Sequence, residues 1–126
     1  MSETTSLKGA CHCGAIQFTL TAAPDSVTRC TCSLCHKRGT LWAYYAPDQF
    51  TLTTAPERVS TYQFGHYLVR HHHCSVCGCG AYFESPAWAE GKADFTNMKI
   101  GVNAWLLEDF DPLAAPLLNV DGKNDW

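Results

Sequence analysis

Cysteine is the residue type whose spacing most directly indicates chemistry in this chain, because seven of its eight cysteines fall into three short clusters. A central triplet is flanked in the sequence by two pairs: Cys30, Cys32 and Cys35; Cys11 and Cys13; Cys74 and Cys77. Thiolates are strong ligands of zinc, and neighbouring thiolates on a short loop can share one ion. The pattern therefore indicates metal-dependent chemistry.

The number of thiols predicts two zinc ions per chain with different coordination. The two outer pairs together supply four thiolates, which complete one closed, structural tetrahedron. The triplet supplies only three, so a zinc ion there would keep a free position for metal-assisted chemistry or ligand exchange. The alternative is a second structural zinc, with Cys79 or a histidine as its fourth ligand. In the first interpretation Cys79 is a free buried thiol.

Length and cysteine usage restrict the classes of protein to which this chain can belong. The chain has 126 residues, which fits a single domain over 1–126. The N-terminal residues lack the apolar centre of a signal peptide, and no run is long and apolar enough to span a bilayer. We therefore expect a cytoplasmic protein whose cysteines are thiols or metal ligands. Disulfides within the C-x-C spacings would be strained.

Charge argues against nucleic acid as the main partner. The formal net charge is −3, and Lys37-Arg38 is the only adjacent pair of cations. A phosphate backbone would require a basic patch, which the sequence does not contain. Three cations lie beside the triplet in the sequence and are candidates for binding a substrate carboxylate, although solvated surface charge is the ordinary role of such residues: Arg29, Lys37 and Arg38.

Alternation of apolar and polar residues predicts a mainly β fold with short helical turns. The pattern is clearest around Ile16, Phe18 and Leu20, which would share the buried face of a strand. We predict strands over 15–21, 41–46, 50–54, 59–63, 66–73, 82–84 and 95–103. A helical turn is expected over 34–37, capped by Ser33 and ended by Gly39, and another over 105–109. Residues 1–8 are expected to form a loose lead-in, and 111–126 an irregular arm.

Aromatic and histidine side chains lie close to the cysteines in the sequence. Trp42, Tyr44 and Tyr45 follow the triplet and can form a pocket wall or core packing. His71 and His73 would share one face of a strand and His72 the other, so ordinary strand positions are favoured over metal ligation. Two histidines are adjacent to predicted ligands and can hydrogen-bond to sulfur or substrate: His12 and His36.

The order of these motifs resembles the glutathione-dependent formaldehyde-activating enzyme family, which shares its domain with centromere protein V. The motifs that carry the resemblance are Gly9-x-Cys11-x-Cys13-Gly14, Cys30-x-Cys32-Ser33-x-Cys35 and Cys74-x-x-Cys77-Gly78, followed by residues 103–111 and Asp121-Gly122. The resemblance implies one zinc-binding domain with a core of about 9–122. Its expected fold is the zinc-stabilised, Mss4-like arrangement of coiled antiparallel sheets.

The resemblance also implies the function of each cysteine. It makes Cys11, Cys13, Cys74 and Cys77 ligands of a structural zinc, and Cys30, Cys32 and Cys35 ligands of a catalytic one. The expected activity is that of a carbon–sulfur lyase similar to S-(hydroxymethyl)glutathione synthase. Its substrate would be an adduct of glutathione, or a similar small thiol, with formaldehyde or another small electrophile. The alternative is a non-catalytic, zinc-stabilised binding module of the same family. No membrane partner is expected.

Overall fold

The strands form where apolar and polar residues alternate. A computed structural model describes residues 6–63, 68–89 and 92–120 of the chain. Strand β2, for example, buries Phe18 and Leu20 and exposes Gln17. The strands are β1 Leu7–Ala10, β2 Gln17–Leu20, β3 Val27–Cys30, β4 Trp42–Tyr45, β5 Phe50–Leu52, β6 Val59–Tyr62, β7 Arg70–Cys74, β8 Gly80–Ala89, β9 Lys92–Asn103 and β10 Leu117–Val120. One α-helix, α1, spans Ser33–Arg38, and 3-10 turns occupy Pro47–Gln49, Pro56–Arg58, Ala104–Leu106 and Pro112–Ala114.

Two sheets enclose the main core. The smaller has the order β1-β2-β5, and the larger has the order β10-β3-β4-β9-β8-β7-β6. Neighbouring strands are antiparallel, except that β10 pairs in parallel with β3 at one edge. Side chains from both sheets meet in the core, among them Phe18 of the smaller sheet and Val102 of the larger. This mainly β architecture confirms the predicted fold class.

The larger sheet buries side chains on both of its faces. Alternate residues of a strand point to opposite faces, so adjacent residues join different clusters. The main core receives Val27, Ala43, Tyr45 and Tyr82. A second apolar cluster lies on the opposite face and contains Cys30, Cys35, Trp42 and Phe83. The triplet therefore sits on the face of the larger sheet that points away from the main core.

Several predicted element boundaries were wrong. Leu7 and Lys8 belong to β1 rather than to a loose lead-in. Strand β8 continues past Pro86 to Ala89, because a register shift between Pro86 and Ala87 accommodates the proline, which cannot donate a ladder hydrogen bond. The predicted irregular arm contains β10. Predictions for residues 1–5, 64–67, 90–91 and 121–126 lie outside the described residues.

The prediction for the start of the helix was wrong by one position. The N-cap is Cys32, not Ser33, and its sulfur accepts a hydrogen bond from the backbone amide of Cys35. Gly39 ends the helix as predicted, with a φ of 67° that favours glycine. In the described part of the chain, no helix is long and apolar enough to cross a membrane.

Candidate metal centres

The four thiols of the outer pairs, here called the four-cysteine cluster, meet in space. The sulfurs of Cys11, Cys13, Cys74 and Cys77 all lie within 4.8 Å of one another. The Cys11–Cys13 and Cys13–Cys74 sulfur separations are 3.8 and 3.6 Å. Zinc–sulfur bonds of about 2.3 Å at tetrahedral angles give a sulfur–sulfur edge of about 3.8 Å. The donor set and its spacing therefore fit one zinc ion.

A tight turn after β1 positions the first pair. Gly14 adopts a φ of 82° and donates its amide hydrogen to the carbonyl oxygen of Cys11 at 3.1 Å. The amide of Ile16 donates to the Cys11 sulfur at 3.3 Å. Because glycine reaches positive φ without strain, the chain can reverse here and place both sulfurs beside β7.

A second turn, immediately after β7, positions the other pair. Gly78, at a φ of 83°, donates its amide hydrogen to the carbonyl oxygen of Cys74 at 3.0 Å. The amides of Val76 and Cys77 both donate to the Cys74 sulfur at 3.3 Å. The backbone amide of Cys79 lowers the pKa of the Cys77 thiol to about 5. These donors favour thiolates, the form that binds metal.

The triplet comes together at the junction of β3 and α1. Its three sulfurs lie within 4.8 Å of one another. Cys30 ends β3, Cys32 caps α1, and Cys35 occupies the first turn of the helix. Cys30 and Cys35 are buried, and Cys32 is half-buried. Among the described residues, no histidine, carboxylate or fourth thiol joins this group. The three thiols can hold a metal ion while leaving one position free of protein ligands.

Each sulfur of the triplet accepts a hydrogen bond from an N–H group. The amide of Cys32 donates to the Cys30 sulfur at 3.4 Å, and the amide of Cys35 donates to the Cys32 sulfur at the same distance. The indole Nε1–H of Trp42 donates to the Cys35 sulfur at 3.2 Å. Burial raises the pKa of the Cys35 thiol to about 12, and the hydrogen bond from Trp42 opposes this rise.

Aromatic rings cover the sheet face beside the triplet. Trp42 meets Phe83 edge to face with ring centroids 4.7 Å apart. The centroids of the His71 and Phe83 rings are 5.8 Å apart. Burial lowers the pKa of His71 to about 4, so its ring is neutral at pH 7. Tyr44 also meets Phe83 edge to face, with ring centroids 6.1 Å apart, and the Lys99 ammonium lies 4.8 Å from the centre of the Tyr44 ring. Burial lowers the pKa of Lys99.

Phe83 and Lys99 were not singled out in the sequence. They lie on β8 and β9, which pair so that Phe83 is opposite Gly101 and Ser85 is opposite Lys99. Only the cross-strand register shows that these side chains share a face with the triplet. The alternation within each strand indicates which residues share a face of that strand, but not which residues of other strands lie beside them.

The three predicted substrate-binding cations occupy different surroundings. Lys37 lines a hollow of about 180 Å³ beside α1, together with Ser33, Leu34 and Tyr62. Arg38 extends toward Gly80, where an added Cβ would lie 3.1 Å from its Nη1 atom.

Arg29 points away from the Cys30 side chain. Its side chain is exposed and donates from Nε to the Oδ1 atom of Asn119 at 3.1 Å. It lines a different hollow of about 260 Å³ that also contacts Trp105. The structure therefore brings Lys37 and Arg38 to the helix of the triplet and leaves Arg29 on the other face of β3.

Cys79 and the other histidines of the described residues contribute no ligand atom to the triplet. Cys79 is half-buried beside Cys77, where the backbone amide of His12 donates a hydrogen bond to its sulfur. His72 bridges Glu84 at 2.6 Å and Thr61 at 2.9 Å. His12 and His36 have exposed side chains and His73 is partly buried.

Comparison with known proteins gives a family match and a similar solved structure. The family model described as glutathione-dependent formaldehyde-activating enzyme matches residues 6–116, a range that contains all seven clustered cysteines. The chain belongs to this family. A crystal structure of a Rhodobacter sphaeroides protein is similar to this chain, with a TM-score of 0.69 and 28% sequence identity. The similarity covers 88% of this chain and 98% of that one, which supports the predicted Mss4-like fold class.

Proposed function

We propose that this protein is a zinc-dependent enzyme of the carbon–sulfur lyase type. It would catalyse the reversible addition of a small thiol, glutathione or a close analogue, to formaldehyde or another small electrophile. The observation that carries the proposal is the triplet, whose three thiols meet without a fourth protein ligand among the described residues. Family membership supports glutathione and formaldehyde as the first substrates to test.

The reaction needs no oxidant or reductant. A bond forms between the thiol sulfur and the carbonyl carbon, the carbonyl π bond opens, and the thiol proton ends on the carbonyl oxygen. Zinc at the triplet would supply a coordination position at which a bound thiol loses its proton near neutral pH. The reverse reaction breaks the same carbon–sulfur bond and releases thiol and aldehyde.

Several groups near the triplet support binding of a charged thiol substrate. Glutathione carries two carboxylates and one ammonium group. Lys37 lines the hollow beside α1, and Arg38 lies on the same helix, so both can approach a substrate carboxylate. The aromatic face formed by Trp42 and Phe83 removes part of the triplet from water, which strengthens electrostatic interactions there. Arg29, the third cation predicted from the sequence, lies on the opposite face of β3 from the triplet and is assigned no carboxylate of this substrate.

The four-cysteine cluster would hold a second zinc with a structural role. Cys11 and Cys74 belong to the main core and Cys77 packs against it, and four thiolates leave no position for substrate. We further propose that the protein works in the cytoplasm, where cysteines stay reduced and glutathione is available.

The test is exchange NMR spectroscopy on an equilibrium mixture of glutathione and formaldehyde. The adduct also forms without enzyme, so only exchange above that background counts. We expect acceleration by wild-type protein and by Cys79→Ser, which removes a thiol outside both clusters, and none by Cys32→Ser. Wild-type protein that binds two zinc ions but gives no acceleration with any small aldehyde would overturn the enzymatic proposal. That result would favour a zinc-stabilised binding module.

A further inference from the structure

Trp42 makes a contact that no backbone group of the triplet can replace. The Cys30 and Cys32 sulfurs accept from backbone amides, which any residue at the donating positions would supply. The Cys35 sulfur accepts from a side chain, the indole of Trp42, at 3.2 Å. Among the hydrogen bonds of the described triplet, this is the one that a substitution can remove without altering the backbone.

The packing around Trp42 fixes the direction of its N–H group. The side chain is only 3% exposed and meets the Phe83 ring edge to face at 4.7 Å. Phe83 in turn packs against Gly101, where an added Cβ would come within 2.0 Å of the ring. An indole N–H can donate but not accept, so a buried tryptophan requires an acceptor. The Cys35 sulfur is that acceptor.

A metal site that takes a thiol substrate has a specific problem, because the substrate and the protein ligands share the same chemistry. An incoming thiol can occupy the free position, or it can replace one of the protein's own thiolates. A hydrogen bond to a bound thiolate withdraws electron density from the sulfur and reduces its tendency to take up a proton or react with an electrophile. The aldehyde substrate is such an electrophile.

We propose that Trp42 is a positioning residue that keeps Cys35 bound to the metal as a weakly reactive thiolate, so that the substrate thiol takes the free position. This inference rests on the proposed metal site of the triplet. Loss of a hydrogen-bond partner of a metal ligand typically costs about 10- to 100-fold in metal affinity. Without the indole N–H, the Cys35 sulfur loses its N–H donor, whereas the Cys30 and Cys32 sulfurs keep theirs.

The first experiment measures alkylation of each cysteine by iodoacetamide in the zinc-loaded protein, read by mass spectrometry of the peptides. In Trp42→Phe, which keeps a buried ring but removes the N–H, we expect Cys35 to react about 10-fold faster than in wild type, the factor that one hydrogen bond to a charged group typically contributes. The reactivity of Cys30 and Cys32 should change far less. Val69→Ala is the matched control, because Val69 packs against the same apolar cluster and the variant keeps both the indole donor and the Phe83 ring. Zinc retention at the triplet under excess glutathione should fall in Trp42→Phe and not in the control.

A second measurement uses the wild-type protein and does not depend on the variant folding. With cadmium-113 in place of zinc, a hydrogen bond from Trp42 to a metal-bound sulfur allows spin coupling between the indole proton and the cadmium nucleus. We expect one tryptophan indole proton to show this coupling.

The outcomes separate this inference from the proposed function. Equal Cys35 reactivity in wild type and Trp42→Phe, or an equal increase at all three cysteines, overturns the role of Trp42. Absence of the cadmium coupling also overturns it. A wild-type triplet that binds no metal overturns both proposals. Selective protection of Cys35 without thiol–aldehyde exchange supports the role of Trp42 and overturns only the enzymatic proposal.

Discussion

Loss of the four-cysteine cluster should destabilise the fold more than loss of the triplet. A metal held by Cys13 and Cys74 ties together positions that are 61 residues apart. If the tether is treated as a cross-link, chain entropy assigns it about 4 kcal/mol at 25 °C. The triplet closes only the short loop from Cys30 to Cys35, for which the same relation gives about 2 kcal/mol. Domains of this kind are stable by only about 5–15 kcal/mol.

The variants Cys77→Ser and Cys32→Ser test this difference, provided that each releases its metal. For a domain of this size, each kcal/mol lost from the free energy of unfolding lowers the melting temperature by roughly 4 °C. Cys77→Ser should therefore melt roughly 15 °C below wild type and Cys32→Ser roughly 8 °C below. Circular dichroism melts with one equivalent excess of zinc measure both. Cys79→Ser is the control and should melt near wild type. If Cys77→Ser had the same melting temperature as Cys79→Ser, the structural role of the four-cysteine cluster would be refuted.

Two further predictions concern the larger sheet. Gly101→Ala places a methyl group against the Phe83 ring and should destabilise the protein by about 1–3 kcal/mol. In urea titrations Phe83→Leu should offset part of that loss, and strictly additive effects would contradict the contact. The hydrogen bond from His72 lowers the pKa of Glu84 in the folded protein, so Glu84 contributes stability that is present above its usual pKa and lost as pH falls through the lowered one. The difference in free energy of unfolding between wild type and Glu84→Gln should therefore narrow as the pH falls below about 4.5. A difference that does not change with pH would rule out this contribution of the Glu84 carboxylate.

The clusters were predictable from the sequence because their chemistry is local. Spacings such as Cys30-x-Cys32-x-x-Cys35 place sulfurs within reach of one another in most backbone conformations, and an ion needs four ligands whichever strands carry them. The alternation around Phe18 and Leu20 likewise identified β2 because burial on one face imposes that period.

What the sequence could not supply depends on pairing between distant strands. The parallel contact of β10 with β3 joins residues about 90 positions apart, and nothing local in 117–120 distinguishes that strand from an irregular segment. For the same reason Phe83 and Lys99 could not be identified from the sequence. They lie on the face of the triplet because of the register in which β8, β9 and β4 pair. The cap at Cys32 was missed because sulfur is not among the usual N-cap acceptors.

We propose that the chain holds one closed and one open metal site. Native mass spectrometry during competition with a zinc chelator tests it most directly, with wild type and Cys32→Ser compared. We expect two zinc ions in wild type, one released quickly and made more labile by glutathione, and only the slowly released ion in the variant. Two zinc ions of equal inertness, or a single ion that Cys32→Ser does not affect, would contradict it.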